Sequence, residues 1–512
     1  MFAPLKRLVV GRPIASYHAT QHRFGLLGGL AILSSDALSS VAYATEEVLR
    51  VLMVGGPAAL RLGRPIALVI AALLVVVVLS YRQTIRAYPG GGGAYIVARD
   101  NLGPTAGLAA AAALLIDYTL TVAVSVAAGV SALTSAVPAW HISRVALSLT
   151  LIGVLMLGNL RGLRESTRLF GLPVYGFVAV MLALIGGGLW QVITGSNQPV
   201  PGGSPLPTLG TGAITTFVLL TAFANGCTAM TGVEAVSDGV PAFREPAART
   251  AGRTLLLMAV IAVTMSLGIT FLADGYHVVP SETETVVSQL ARGVLGGRGW
   301  PYYAVQGATM LILVLAANTA FADFPRLASV VAGDRYMPRQ FMNLGDKLAF
   351  SNGIVALAVA AGGLCIVFGG DPHALIPLYM IGVFLSFTLS QAGMFLRVRR
   401  LREPGWRSHA AVSGGGACVT FAVLIVVAVT KGPEGAWMVM VLIPLLGLIF
   451  RATRSHYDSI ASQLSLRGLP VDTAPRGHVV VVPIGGVHRP VVEALRYASS
   501  LAGDVRAVYV NV

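Results

Sequence analysis

Charge is scarce in this chain. Only 11% of its 512 residues are Asp, Glu, Lys or Arg, against roughly 25% in a soluble domain. With 55% hydrophobic residues and a mean hydropathy of +0.75, that shortage excludes a solvated globular surface over most of the length and points to an integral membrane protein. Cysteine is nearly absent too. Cys227, Cys365 and Cys418 fall in apolar stretches without metal-site or disulfide spacing, and read as buried, inert thiols. No small-residue cleavage site precedes the first apolar run, so no cleaved signal peptide is expected. Enzymatic signatures are missing as well: there is no HExxH, CxxC or Ser/His/Asp order. The run Gly90 to Gly93 has neither a preceding strand nor the Gly-Lys-Ser/Thr of a phosphate loop. It reads as a flexible turn ahead of an amphipathic cytoplasmic helix.

The charge that is present is unevenly placed. The net charge of +14 comes from basic residues in alternate connections. They group as Lys6, Arg7, Arg12 and Arg23; Arg82, Arg86 and Arg99; Arg161, Arg164 and Arg168; and Arg244, Arg249 and Arg253. Later groups are Arg326, Arg335, Arg339 and Lys347; Arg397, Arg399, Arg400 and Arg402; and Arg451 with Arg454. This is the positive-inside pattern of a multi-pass protein in the cytoplasmic membrane, with both termini in the cytoplasm. It argues against nucleic acid as the partner of the positive charge.

Apolar runs of membrane length divide the chain into twelve expected spans: 24–54, 62–84, 104–133, 142–159, 168–194, 211–240, 251–273, 301–323, 353–370, 374–397, 411–430 and 435–451. Residues 1–23 are the cytoplasmic N-terminus, and 195–210, rich in Pro and Gly and without Lys or Arg, is an outside loop. After a linker at 452–475, residues 476–512 read as strand, Gly-rich turn, helix and strand. One βαβ unit is too small to bury both faces of its sheet. It is expected to be an incomplete cytoplasmic α/β domain or to complete itself on a partner.

The first span carries an anomaly, ILSSDALSSVAYATEEV, with Asp36 among Ser34, Ser35, Ser39 and Ser40. A carboxylate at mid-membrane costs roughly 2.5–3.5 kcal/mol on the translocon scale. Hydroxyls, carbonyls from an unwound helix and a carboxylate together make a hard-oxygen environment for a small cation. Asp36 is equally a residue that caps a half-helix. In the third span Asp117, Thr121 and Ser125 recur at i, i+4 and i+8, with Tyr118 on the border of that face. Such a stripe lines a pathway or glues helices together. The sixth span holds Thr228, Thr231, Gly232 and Glu234; Glu234 is a proton-coupling candidate or the partner of a cytoplasmic-side Arg. Asp323 is expected to pair with Arg326, and Tyr379, judged from the residues alone, to pack.

SDALSSVAYATEEV at 35–48 aligns without gaps to CTAMTGVEAVSDGV at 227–240. Ala37 meets Ala229, Leu38 Met230, Ser39 Thr231, Val41 Val233 and Glu46 Asp238. A five-span offset reverses membrane orientation, the mark of an inverted repeat with discontinuous helices at a midplane site.

LSSDALSSVAYATEEVL, LLIDYTLTVAVSVAAGVSALTSAVP, NLRGLRES, GCTAMTGVEAVSDGVPAFREP and AANTAFADFPRLASVVAGDRYMPRQF resemble the KimA-type potassium importers. These belong with the KUP potassium-uptake permeases in the amino acid–polyamine–organocation superfamily, and the resemblance covers about residues 20–450. It implies an all-α integral membrane protein of LeuT-like 5+5 fold, with repeats near 24–194 and 211–397 and extra helices at 411–451. It implies potassium uptake with protons by alternating access, no cofactor, and a homodimer held through cytoplasmic C-terminal domains. Matched to the family, Asp36, Tyr43, Asp117, Tyr118, Thr121, Ser125 and Thr231 line the potassium path, with Tyr43, Thr121 and Thr231 as ion ligands and Tyr379 as a gate. Asp36 and Glu234 are the proton-coupling candidates. The family's cytoplasmic domain resembles a universal-stress-protein fold that senses cyclic di-AMP; here only its opening unit is present, so that ligand is expected only with a complete domain.

The rival reading is a proton-coupled amino acid permease, whose half-helix N-terminus receives the substrate carboxylate. Two negative charges at ~4 Å repel by roughly 4 kcal/mol at an effective dielectric of about 20, so an ionised Asp36 disfavours such a substrate. A channel lacks its filter motif here, and a pure sensor has no use for acids on three spans.

Overall fold

The computed structural model describes residues 23–91, 93–137, 144–162, 167–198, 200, 214–345, 349–465 and 478–509. Lys6, Arg7, Arg12, Arg164 and Lys347, most of the 195–210 loop and the linker from 466 onward lie outside the described residues. Two compact units divide the chain, Met1–Tyr457 and Asp458–Val512.

The first unit is a bundle of helices. It opens with α1 (Leu26–Leu33) and α2 (Ser35–Leu52), then α3 (Gly63–Ala87) and the short α4 (Ala94–Leu102). Next come α5 (Pro104–Ala136), α6 (Arg144–Leu160) and α7 (Thr167–Thr194). The sixth span is split into α8 (Thr216–Gly226) and α9 (Val233–Asp238), followed by α10 (Ala247–Gly275), α11 (Val286–Val294) and α12 (Trp300–Gly333). The bundle closes with α13 (Ser351–Val367), α14 (Pro372–Leu401), α15 (Trp406–Lys431) and α16 (Trp437–Gln463). Among the described residues eight helices are long and apolar enough to cross a membrane, or nine if the bent pair α1–α2 is one span. The apolar α6 and α13 are shorter.

Burial separates the helices by role. The most apolar stretch of α5 is 89% buried and that of α15–α16 only 28%, so α5 is the axis of the bundle and α15–α16 its rim. Exposed Phe421, Val429, Val441 and Leu448 on that rim suit hydrocarbon contact, not water. Cys418 is exposed on α15, whereas Cys227 and Cys365 are buried; the expectation of three buried thiols therefore fails at the rim, where an apolar helix faces outward. The expected linker also starts later than residue 452, because α16 continues unbroken to Gln463.

Among the described residues two spans are broken, for different local reasons. The axis bends by 49° between α1 and α2. Ser34 Oγ turns back onto the Leu30 carbonyl, and Ser39 and Ser40 both donate to the Asp36 carbonyl, at 2.8 and 3.0 Å. Such back-bonding competes with the helix ladder and bends it. The sixth span leaves helical geometry altogether: a 3-10 turn at Cys227–Met230 leads into extended Thr231 and then Gly232 at φ +76°, a conformation glycine adopts without steric cost.

In the second unit β1 (Val479–Ile484), α17 (Arg489–Leu501) and β2 (Asp504–Tyr509) form one crossover. The strands pair in parallel from Val479–Asp504 to Ile484–Tyr509, and Val479 and Val481 remain exposed on β1.

Candidate functional site

The two breaks meet. A Cβ on Gly232 would lie 2.5 Å from the Ala37 amide nitrogen, so only glycine lets the sixth-span break sit on the first turn of α2. Beside that contact Ser40 Oγ and Thr231 Oγ1 are 2.6 Å apart, and Tyr43 donates to Ser40 Oγ at 3.3 Å. Tyr379 on α14 is buried next to Thr231 and Tyr43. Asp36 is the second residue of α2, half-buried, with Thr231 beside its carboxylate. It is not the capping residue, because Ser34 holds that position. A negative charge in this first turn is nonetheless stabilised by the positive end of the half-helix. Ser35, adjacent, shares a hydrogen bond of 2.7 Å with Thr319 on α12.

Asp36, Tyr43, Thr231 and Tyr379 therefore converge. The placing of Tyr379 against Thr231 goes beyond the packing role read from its lone position in sequence. Asp117 lies close enough to Asp36 and Glu234 to feel both charges, while Thr121 and Ser125 are buried one and two turns further along α5. Tyr118 turns toward the sixth span and donates to Asp238 Oδ2 at 3.2 Å.

Glu234 is the second residue of α9. It accepts from the Ala94 amide at 2.6 Å and from Ser386 Oγ at 3.2 Å; among its described partners there is no arginine. The glycine run that reads as a flexible turn is packed against this acid and its neighbour. A Cβ on Gly93 would fall 2.0 Å from Asp238 Oδ1, so the turn seats its backbone directly on α9. The amphipathic helix is α4, and Tyr95 on it donates to Asp334 at 2.5 Å. Burial first, then that carboxylate, push the Tyr95 phenol above its usual range. Asp323 and Arg326 form the expected pair at 3.7 Å, with Arg326 half exposed.

Asp36, Asp117, Glu234, Asp238 and Asp323 each feel at least one of the others electrostatically. Arg326 is a basic group that acts on this set. Acids grouped in this way draw in cations and protons and repel anions.

The sequence reading passed over a second buried cluster, at the far end of α2. His373 bonds Glu47 through Nδ1 and approaches Glu46 through Nε2 at 3.6 Å. Glu47 also accepts from Asn225 at 3.2 Å, and Glu46 from the Val286 amide at 3.0 Å. Four helices are tied here around two acids. The signal was available, since the adjacent Glu46 and Glu47 lie in the same apolar span as Asp36.

Broken helices that meet beside buried acids and hydroxyls, inside a bundle of apolar helices, define a membrane permease, not an enzyme. The chain belongs to the amino acid permease family, whose pattern matches residues 24–450. It is 47% identical over 517 aligned positions to the potassium transporter KimA of Bacillus subtilis strain 168, an alignment covering 100% of this chain and 84% of that protein.

Proposed function

We propose that this protein imports potassium across the cytoplasmic membrane together with protons, by alternating access around the two breaks. The observation that carries the reading is Asp36: an acid at the start of a half-helix, facing Thr231 across the break, where an amino acid substrate would place its own carboxylate. Kinship to a potassium transporter over the full chain supports the same cargo. Tyr43, Thr121 and Thr231 are the ion ligands, Asp117, Tyr118 and Ser125 line the approach, and Tyr379 gates it. No resident cofactor is needed, because the cargo brings the charge.

The same reading takes the helices as twelve spans in a 5+5 inverted repeat of LeuT type, with both termini in the cytoplasm. The α15–α16 pair is then outside the repeats. The protein works as a homodimer joined through its C-terminal domain, and β1–α17–β2 is part of a universal-stress-protein-like fold there, with cyclic di-AMP as its candidate ligand.

Expression in cells lacking potassium uptake, grown at micromolar potassium, tests the function. Rescue is expected. No rescue, together with proton-driven amino acid uptake in liposomes, would overturn it in favour of the amino acid permease.

A further inference from the structure

Five fully buried polar side chains lie outside the break, on two neighbouring helices. Ser80, Tyr81 and Thr84 belong to α3; Ser390 and Gln391 belong to α14. Ser80 Oγ, Thr84 Oγ1 and both amide atoms of Gln391 have no hydrogen-bond partner among the described residues, and the Tyr81 hydroxyl lies between Glu234 and Ser390, near enough to bond either. Buried polar atoms are nearly always paired, so their concentration in one place marks a polar seam between the helices, the kind of site where buried water serves as the missing partner.

The positions form a column. The ring of Tyr81 meets Phe387 edge-on with centroids 5.3 Å apart, which sets Tyr81 within one turn of Ser390. One turn before Ser390, Ser386 donates to Glu234 Oε2 at 3.2 Å. On the other side, a Cβ on Gly416 of α15 would sit 1.7 Å from Gln391 Oε1 and 3.5 Å from Ser80 Cβ. The Gln391 amide and Ser80 thus share the space that this glycine leaves. Where burial ends, Gln83 accepts from Ser413 at 2.9 Å and Tyr88 accepts from Asn101 at 2.7 Å.

We propose that this column is a hydrated proton path from Glu234 to the cytoplasm, separate from the potassium route. The proposal rests on the symport reading above. Glu234 is faced by Tyr81 from α3, Asp117 from α5, Asp238 on its own helix and Asp323 from α12, so a proton is the charge this acid can gain there. On release, the O–H bond of protonated Glu234 breaks and its proton passes to the nearest water. A water at the far end gives up a proton to the cytoplasm, and the column ends with the protons it began with. Hydroxyls both donate and accept, and the amide offers two donors and an acceptor, so together they orient a water chain without taking a charge.

The test uses the full chain in liposomes, with Thr84→Val and Gln391→Leu combined. Potassium exchange at equal pH needs no proton release, because the carrier cycles with its proton bound. Net potassium accumulation driven by a proton gradient does need it. Net accumulation and the accompanying proton uptake are expected to fall roughly tenfold or more, while exchange stays within about twofold of wild type. Equal loss of both, or loss of neither, overturns the path. Should the double variant fail to fold, Ser390→Ala alone must show the same split in weaker form, and an unsplit result there overturns it as well. A wild type that accumulates potassium without proton uptake overturns the symport reading and the path together, whereas a proton-coupled wild type with an unsplit variant overturns the path alone.

Discussion

Asp36 and Glu234 occupy the same register: each is the second residue of the half-helix that restarts after a break. Their surroundings differ. Glu234 is held by the protein, with a backbone N–H on one oxygen and a serine hydroxyl on the other. Asp36 is half-buried beside Thr231, which with Ser40 forms a pair of hydroxyls whose oxygens can turn toward a cation. On the proposed reading, the acid enclosed among other acids exchanges a proton, and the one among rotatable hydroxyls meets the ion. On that reading one position serves two tasks, and the division follows from neighbours, not from the acids themselves.

The comparison is broken most severely at Asp36. For Asp36→Asn the attraction lost is about 4 kcal/mol at ~4 Å and an effective dielectric of about 20, roughly a thousandfold in affinity. Growth rescue at micromolar potassium is expected to vanish, and unchanged growth would confine Asp36 to the helix terminus. Glu234→Gln keeps an acceptor for the Ala94 amide but cannot carry a proton as a carboxyl group does. Potassium exchange is expected to persist while proton-driven accumulation falls about a hundredfold, the scale of a lost acid–base group. If Glu234→Gln weakened potassium binding as much as Asp36→Asn, the division of labour would collapse.

The acids and hydroxyls of spans one, three and six were readable because polar residues stand out in apolar runs, and the helix positions followed from hydropathy. What the sequence hid was register. Extended by one residue, the gap-free alignment sets Ser34 opposite Gly226, and the first halves end within one residue of that pair, at Leu33 and Gly226. The second halves restart at Ser35 and Val233, so the residue in the same helix position as Asp36 is Glu234, whereas the alignment pairs Asp36 with Thr228. A break of variable length cannot be read from pairwise similarity, because its length depends on where Gly232 lands against Ala37. The partners of each acid were hidden for another reason. Ala94 reaches Glu234 through its backbone, and His373 reaches Glu47 across 326 residues.

The inner support of Glu234 can be loosened without touching an acid. Gly93→Ala places a methyl group against Asp238 and forces the turn off α9. Overpacking of this kind costs about 1–3 kcal/mol. A lower melting temperature in detergent is expected, with proton-driven accumulation reduced more than exchange, since the Ala94 amide is drawn away from Glu234. Equal reduction of both would mean that the turn supports the fold alone and leaves Glu234 unaided.

The smallest expected effect is at the hydroxyl pair itself. Thr231→Ala removes the 2.6 Å hydrogen bond to Ser40 and the oxygen beside Asp36 and Tyr379. One hydrogen bond is worth about 0.5–1.5 kcal/mol net, which sets the loss of potassium affinity at roughly three- to tenfold. Thr231→Ser restores the oxygen and is expected to recover most of it, while Thr231→Val, with the shape but no oxygen, is not. Recovery by valine would make the contact one of packing, and the surroundings of Asp36 would then be no more suited to an ion than those of Glu234.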